Sequence, residues 1–478
     1  MRIIRNGQLV KLLFLAVFVM NGTILLTQGN EAHQSGNTEP IWSLAATGNS
    51  IITRRISVFD DPALMKWVKL VREADVSFTN LEGSLFRLWE FKGYPQAEFG
   101  GTQERGSPEM AEELKWAGFD LINRANNHTT DWGVEGMVET NRLLDKLGLV
   151  HAGTGMNLGE ASQAKYFETK KGRFGLIGLA SSFTPMSRAG KVRSEVSGRP
   201  GLNPLRVDRR YQLNPERMAD LRRIMSALGY RVARQKDGPV RFLGSTFVQG
   251  SENKIIQKAN SRDVDRILRN VRSASKQADF VIVTSHSHAS GKARSDPPEF
   301  ILDFARKCID AGATTYIIHG PHQVRGIEIY KGKPIFYGLG DFIFQYETTE
   351  PQGSDVYDRY GVFEKDALIG DLNDPDGMGR SYGPLDPEWW EGILVVPVFR
   401  GHQLIELKVY PVELGHKGPF VSGDGRTQRG TPRIAEGKLA KKIIDLVAKL
   451  SAPFGTRIVF QDGIGVWKPP TQTKSNQN

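Results

Sequence analysis

Three features of the sequence predict an α/β fold. Apolar strand-like runs alternate with amphipathic helical patterns along most of the chain, several of these runs end abruptly in polar residues, and the composition (39% hydrophobic, 24% charged) suits a globular protein. At 478 residues the chain exceeds one compact core, which predicts one large domain with insertions or two smaller domains.

The elements follow in order. "IWSLAATGN" reads as a buried strand ending in a turn at Gly48 and Asn49. "PALMKWVKLVREA" is a helix, "DVSFTNLEGSL" an apolar run and "SPEMAEELKWAG" a second helix. "FDLINRANNH" is a strand with its loop, and "GVEGMVETNRLLDKLG" has the three- and four-residue apolar spacing of a helix. "RFGLIGLA" is a further strand. Residues from 186 to about 270 form a polar insertion rich in arginine (Arg188, Arg193, Arg199, Arg206, Arg209, Arg210), with helical patterns on either side. The alternation resumes with "DFVIVTSHSH", the helix "FILDFARKCIDAG", "TTYIIHGPH" and "GKPIFYGLGDFIF". Residues 347–390 are an acidic loop insertion rich in Gly, Pro and Asp, including Asp371, Asp374 and Asp376, and its composition predicts no regular structure. Within 391–467, the strands "GILVVPVF" and "LIELKVYPVEL", the helix "GKLAKKIIDLVAKLS" and the strand "TRIVF" complete the fold, and 468–478 is a disordered tail.

The amino terminus has a different character. Arg2, Arg5 and Lys11 precede "LLFLAVFVM", so residues 1–30 read as a secretory signal or an uncleaved membrane anchor, with 31–40 a polar linker. The apolar run is shorter than the ~20 residues that span a bilayer, which favours the signal. Cys308 is the only cysteine and lies in an amphipathic helical pattern, where it reads as a core residue. An exported chain without an internal disulfide suits the bacterial envelope or periplasm. The net charge is +10; without the three basic groups of the first thirty residues it is about +7. That charge suits an anionic partner, or it serves solubility alone. No aromatic stacking platform or helix-turn-helix pattern accompanies it, so no nucleic-acid partner is expected.

The histidines point to chemistry. Of nine in the chain, five directly follow apolar runs: His128, His286, His288, His319 and His322. Asn49, Asn80, Glu82, Asn126 and Asn127 also stand at strand ends, the edge of an α/β sheet where ligands bind. Imidazole and carboxylate together suit divalent Mn, Fe or Zn. His128, His286, His319, His322, Glu82, Asn49 and Asn127, brought to one edge, would supply ligands for two ions. Taken singly, each histidine could equally be an ordinary loop or core residue.

The strings "NLEGSL", "NRANNHTTDWGVEGMVETNRLLDKLGLVHAGTG", "IIHGPHQVRGIEIYKGKPIFYGLGDFIF" and "KLSAPFGTRIVF" together resemble the capsule synthesis protein family typified by CapA, from about Trp42 to Trp467 with insertions. That family is associated with poly-γ-glutamate capsules and is similar in fold to calcineurin-like metallophosphatases. The resemblance implies a four-layered α/β/β/α sandwich, with a metallophosphatase-like domain over 41–346 and a metal site at the sheet edge. Glu82, Asn127, His128, His286, His319 and His322 fall on the family's site motifs. Asp131 is expected to orient His128 or to cap the following helix, Asn80 to lie beside the site, His288 to line the pocket rather than bind metal, and Asp341 to act as a helper near the site or as a turn residue. One position departs from the family pattern: Asn49 stands where the family usually has Asp, and the lost charge weakens at least one metal position.

Two functions follow. One is a metal-dependent envelope hydrolase or transferase, with His128 as acid and Asp131 supporting it. The other is a binding or assembly component, with a degenerate metal site, that handles an anionic capsule polymer beside the synthesis machinery at the membrane.

Overall fold

The computed structural model describes residues 39–231, 238–349, 351–361, 386–416 and 428–470. The expected leader, most of the linker, Asp371, Asp374, Asp376 and the tail from 471 lie outside the described residues. Among the described residues no helix is long and apolar enough to cross a membrane.

The fold is α/β, built on two large sheets. In the ten-stranded sheet Ile41–Ile51, Val76–Leu81, Leu121–Asn123 and Val150–Ala152 run parallel side by side. Asp341–Phe344 also runs parallel to the first of these. The long hairpin Glu391–Arg400/Gln403–Glu413 continues the sheet on the other side of Ile41–Ile51, followed by Ile464–Trp467 and Val459–Gln461. The six-stranded sheet has the order Ile327–Tyr330, Lys333–Phe336, Thr315–His319, Phe280–His286, Gly172–Ala180, Lys165–Thr169.

Side-chain alternation along these strands feeds three apolar clusters. Trp42, Leu44, Phe78 and Val395 from the larger sheet meet Phe174, Phe280, Ile282 and Ile317 from the smaller one. Trp42 is the hub: it stacks on Phe399 at 4.3 Å and touches Phe280 and Phe174 at 4.4 and 5.0 Å, while its indole N–H donates to Gly401 O at 2.9 Å. The opposite face of the larger sheet takes the helix Pro62–Glu73, whose Leu64, Trp67, Val68 and Val71 recur at helical spacing. Asp61 starts that helix by accepting from the backbone N–H of Ala63 and Leu64, and Pro62 fits its first turn. The smaller sheet buries its outer face against Ser261–Ala274 and Glu299–Asp310. Cys308 is buried in that last cluster, and burial pushes its thiol well above the ordinary range, in keeping with a core role.

Two stretches hold more structure than their composition predicts. The Arg-rich segment contains a four-stranded sheet, in the order Val240–Phe242, Ser245–Gln249, Val207–Leu213, Lys254–Ala259, with the helix Pro215–Ala227 packed on it through Met218 and Met225. The sequence reading assigns no strands there, because Arg209, Arg210, Lys254 and Lys258 hide the β-alternation. The acidic stretch, expected to be irregular, carries the short helix Ser354–Tyr360, stopped by Gly361 in the left-handed conformation. Val356 buries that helix against Phe99, a long-range contact that local composition does not reveal.

Gly48 is fixed by packing. A Cβ there would lie 1.8 Å from the Gly340 carbonyl oxygen, and two backbones cannot yield as a side chain can. Gly48→Ala is expected to lower stability by more than about 3 kcal/mol in chemical denaturation, because the strands carrying Asn49 and Asp341 must separate.

Candidate metal centre

Strand register gathers the polar residues. Asn49 pairs with Asp341 on one side and with Asn80 on the other, and Asn80 pairs with Asn123, so four polar side chains stand abreast on the larger sheet. In the smaller sheet His286 pairs with His319. The loops just beyond these ends supply Glu82, Asn126–Asp131, His288 and His322. The left-handed φ of +105° at Gly320 and +53° at His322 turn the "HGPH" loop sharply, and a side chain at Gly320 would meet His286 Nε2 at 2.9 Å. A positive φ at a residue with a Cβ is held only by its surroundings, here the Asp341 bond and the Trp389 stack described below.

Glu82 sits at the middle. It is 1% exposed and its Oε1 has no hydrogen-bond partner. Nε2 of His286, His128 and His322 surrounds that oxygen at 3.7, 3.8 and 3.9 Å, too far for hydrogen bonds. Ligand atoms of Glu82, His288 and His322 lie within 4.8 Å of one another. An unpaired buried carboxylate oxygen ringed by imidazole nitrogens fits a divalent cation among them.

Each ring has a backing group. His322 Nδ1–H donates to Asp341 Oδ1 at 2.9 Å, and Trp389 stacks on the same ring at 4.1 Å, 13° from parallel. His128 Nδ1–H donates to Asp131 Oδ2 at 2.5 Å. Asp131 also accepts from the N–H of Gly100 and Glu104 and makes no cap to the helix Gly133–Lys146. His286 and His319 share a hydrogen bond between their Nδ1 atoms at 3.0 Å, and Thr284 Oγ1 lies 2.8 Å from His319 Nε2. His319 thus has both nitrogens engaged by protein and stands beside His286, not against Glu82. His288 Nε2 approaches His286 Nε2 at 3.0 Å.

The amides form a chain. Asn49 donates through Nδ2 to Asp341 Oδ1 at 2.8 Å, and its Oδ1 accepts from Asn80 Nδ2 at 3.0 Å. Asn80 Oδ1 accepts in turn from Asn123 and Asn126. The Asn49 carbonyl, the atom expected to face a metal, is therefore taken up by Asn80. Asn127 differs: its Nδ2 donates to Gly100 O at 3.0 Å and its buried Oδ1 has no partner.

Charge follows burial. Burial pushes the Glu82 carboxyl up to about 7, against the pull of His322 and His128. Burial also opposes a charge on His128, but Asp131, with Glu104 and Glu82, outweighs it and brings the ring up to about 9. Burial holds His319 down at about 3.

The profile of the bacterial capsule synthesis protein PGA_cap family matches residues 19–346. The chain belongs to that family. The Sinorhizobium fredii (strain NBRC 101917 / NGR234) protein y4sH is 40% identical over 433 residues, covering 89% of this chain and 92% of its own length. The PGA biosynthesis protein CapA of Bacillus subtilis (strain 168) is 26% identical over 264 residues, 55% of this chain and 52% of that protein. The capsule biosynthesis protein CapA of Bacillus anthracis is 24% identical over 246 residues, 52% and 45% of the two chains. The match to both CapA proteins thus spans about half of each.

Two groups at this PGA_cap site escape the sequence reading. Glu104 is 1% exposed, its Oε2 has no partner, and burial pushes it up to about 7, with His128 pulling the other way. It sits in "GTQERGS", which follows no apolar run. Trp389, with Arg294 over its outer face at 5.0 Å, comes from the stretch expected to be irregular. Only the fold brings either one to the histidines.

Proposed function

We propose that this chain is an exported envelope protein of capsule synthesis or export, carrying a metallophosphatase-like centre that acts as a metal-dependent hydrolase. The observation that carries this reading is the unpartnered Glu82 Oε1 among three imidazole Nε2 atoms. The three apolar clusters support the finer architecture, a four-layered α/β/β/α sandwich of the metallo-dependent phosphatase type. Glu82, His286, His288 and His322 would hold the first of two divalent ions (Mn, Fe or Zn), and Asn127 Oδ1 would contribute to a weaker second position. Such ions supply Lewis acidity for a hydrolytic water and for the oxygen of a scissile phosphoryl or carbonyl group. Asp341 and Asp131 fix the rings of His322 and His128. His128 Nε2 holds a proton for the leaving group. The partners in this reading are the anionic capsule polymer, of poly-γ-glutamate type, and the synthesis machinery at the membrane.

A specific observation favours a second reading, a non-catalytic polymer-binding or assembly component. Asn49 brings no charge, and its carbonyl is bonded to Asn80. Metal-loaded protein incubated with phosphoesters and with poly-γ-glutamate decides between them. The hydrolase reading expects turnover that chelation abolishes and that His128→Gln lowers by about 100-fold or more. Metal binding without turnover of either class would leave the assembly reading.

A further inference from the structure

We propose that the Arg-rich segment forms a groove that binds a linear polycarboxylate chain and leads it to the histidine centre. The leading role rests on the metal-centre reading above; the binding role does not.

The groove encloses about 710 Å³. Arg262, Arg266 and Arg269 of the helix Ser261–Ala274 line one wall, spaced four and three residues apart and so on one helix face, over a rise of about 10 Å. Arg188, Lys191 and Arg199 line the other. Asp263 is consumed inside the protein, binding Arg206 at 2.7 Å and Arg266 at 2.6 Å, which leaves Asp265 as the other acid of the lining. Among the described residues Arg188, Lys191, Arg199, Arg262 and Arg269 have no carboxylate within ion-pair distance. The Nε atoms of Arg188 and Arg199 donate to backbone carbonyls of Pro185 and Arg188, which holds both guanidinium groups in place while their terminal nitrogens remain available.

A second cavity of about 610 Å³ shares Arg188 and Arg206 with the first, adds Arg209 beside one acid, Asp208, and reaches His288. His288 Nε2 is 3.0 Å from His286 Nε2, so this second cavity borders the histidine centre. A small anion needs two or three cations; the five unpaired ones of the first cavity, with Arg209 of its neighbour, match a chain with repeating negative charge. No aromatic ring lines the first cavity, so it lacks the stacking surface that nucleic-acid bases use, and this favours a polymer of plain carboxylates.

The test uses the full chain in chelator with fluorescently labelled poly-γ-glutamate, at low and high salt. Tight binding that weakens steeply with salt is expected, and Arg262→Ala/Arg269→Ala should weaken it at least about tenfold and flatten the salt dependence. The matching Lys/Lys variant should keep most of the affinity. Native-like binding by the Ala/Ala variant overturns the proposal, as does equal affinity for γ-glutamylglutamate or tighter binding of single-stranded DNA of equal charge. Polymer binding that depends on the arginines in a chain that takes up no metal would uphold the groove and sink the metal-centre reading alone.

Discussion

Asn49→Asp is expected to destabilise the metal-free protein while raising its affinity for a divalent ion. Asn49 and Asp341 are both fully buried, and the amide N–H gives Asp341 Oδ1 a hydrogen bond of 2.8 Å. A carboxylate at residue 49 removes that donor and sets two acids in contact; either both stay ionised and repel, or one keeps a proton. Losing a charge-assisted bond and creating this repulsion costs about 2–4 kcal/mol. A cation at the centre reverses the sign, because the new charge then faces a positive ion. Thermal melts in chelator should place the variant several degrees below the native chain, and melts in Mn or Zn should close or invert the gap. Equal melting in chelator would mean that the Asn49–Asp341 bond does not carry the weight assigned to it.

Glu82→Gln is expected to act in the opposite direction. Burial raises the folded-state pKa of Glu82 from the ordinary 4.5 to about 7. A raised pKa means that the stability from the protonated form is complete below about 4.5 and lost as pH rises through about 7. At neutral pH and above, the metal-free protein therefore bears the cost of a buried carboxylate whose Oε1 has no hydrogen-bond partner. Glutamine keeps the shape without the charge, so in chelator the variant should be more stable than the native chain by on the order of 2 to 3 kcal/mol at pH 8 and by little at pH 4.5. Metal affinity should fall by at least about 100-fold, since even groups that only support ligands are worth 10- to 100-fold. A variant that is less stable in chelator at every pH would show Glu82 to be an ordinary structural acid.

How far the sequence could be read depended on how local each cause was. The strands that carry Asn49 and His286, and those that lead into Glu82, His128 and His322, are marked by apolar runs broken by polar residues, and that signal survives without any tertiary information. The orientation of Asn49 does not, because it is set by Asn80 on one neighbouring strand and Asp341 on the other. Glu104 and Trp389 reach the centre through long-range packing and follow no motif. The sheet within the Arg-rich segment was hidden for a different reason: its exposed faces are charged, and its small core of Met218, Met225 and Val240 forms only when a helix and distant strands meet.

The metal content of the native chain, purified without added metal or chelator and measured by mass spectrometry, tests the central claim most directly. The account predicts at least one divalent ion per chain, lost on chelation together with several degrees of melting temperature. Metal-free protein that takes up no ion on titration with Mn, Fe or Zn, and whose melting chelator leaves unchanged, would contradict it.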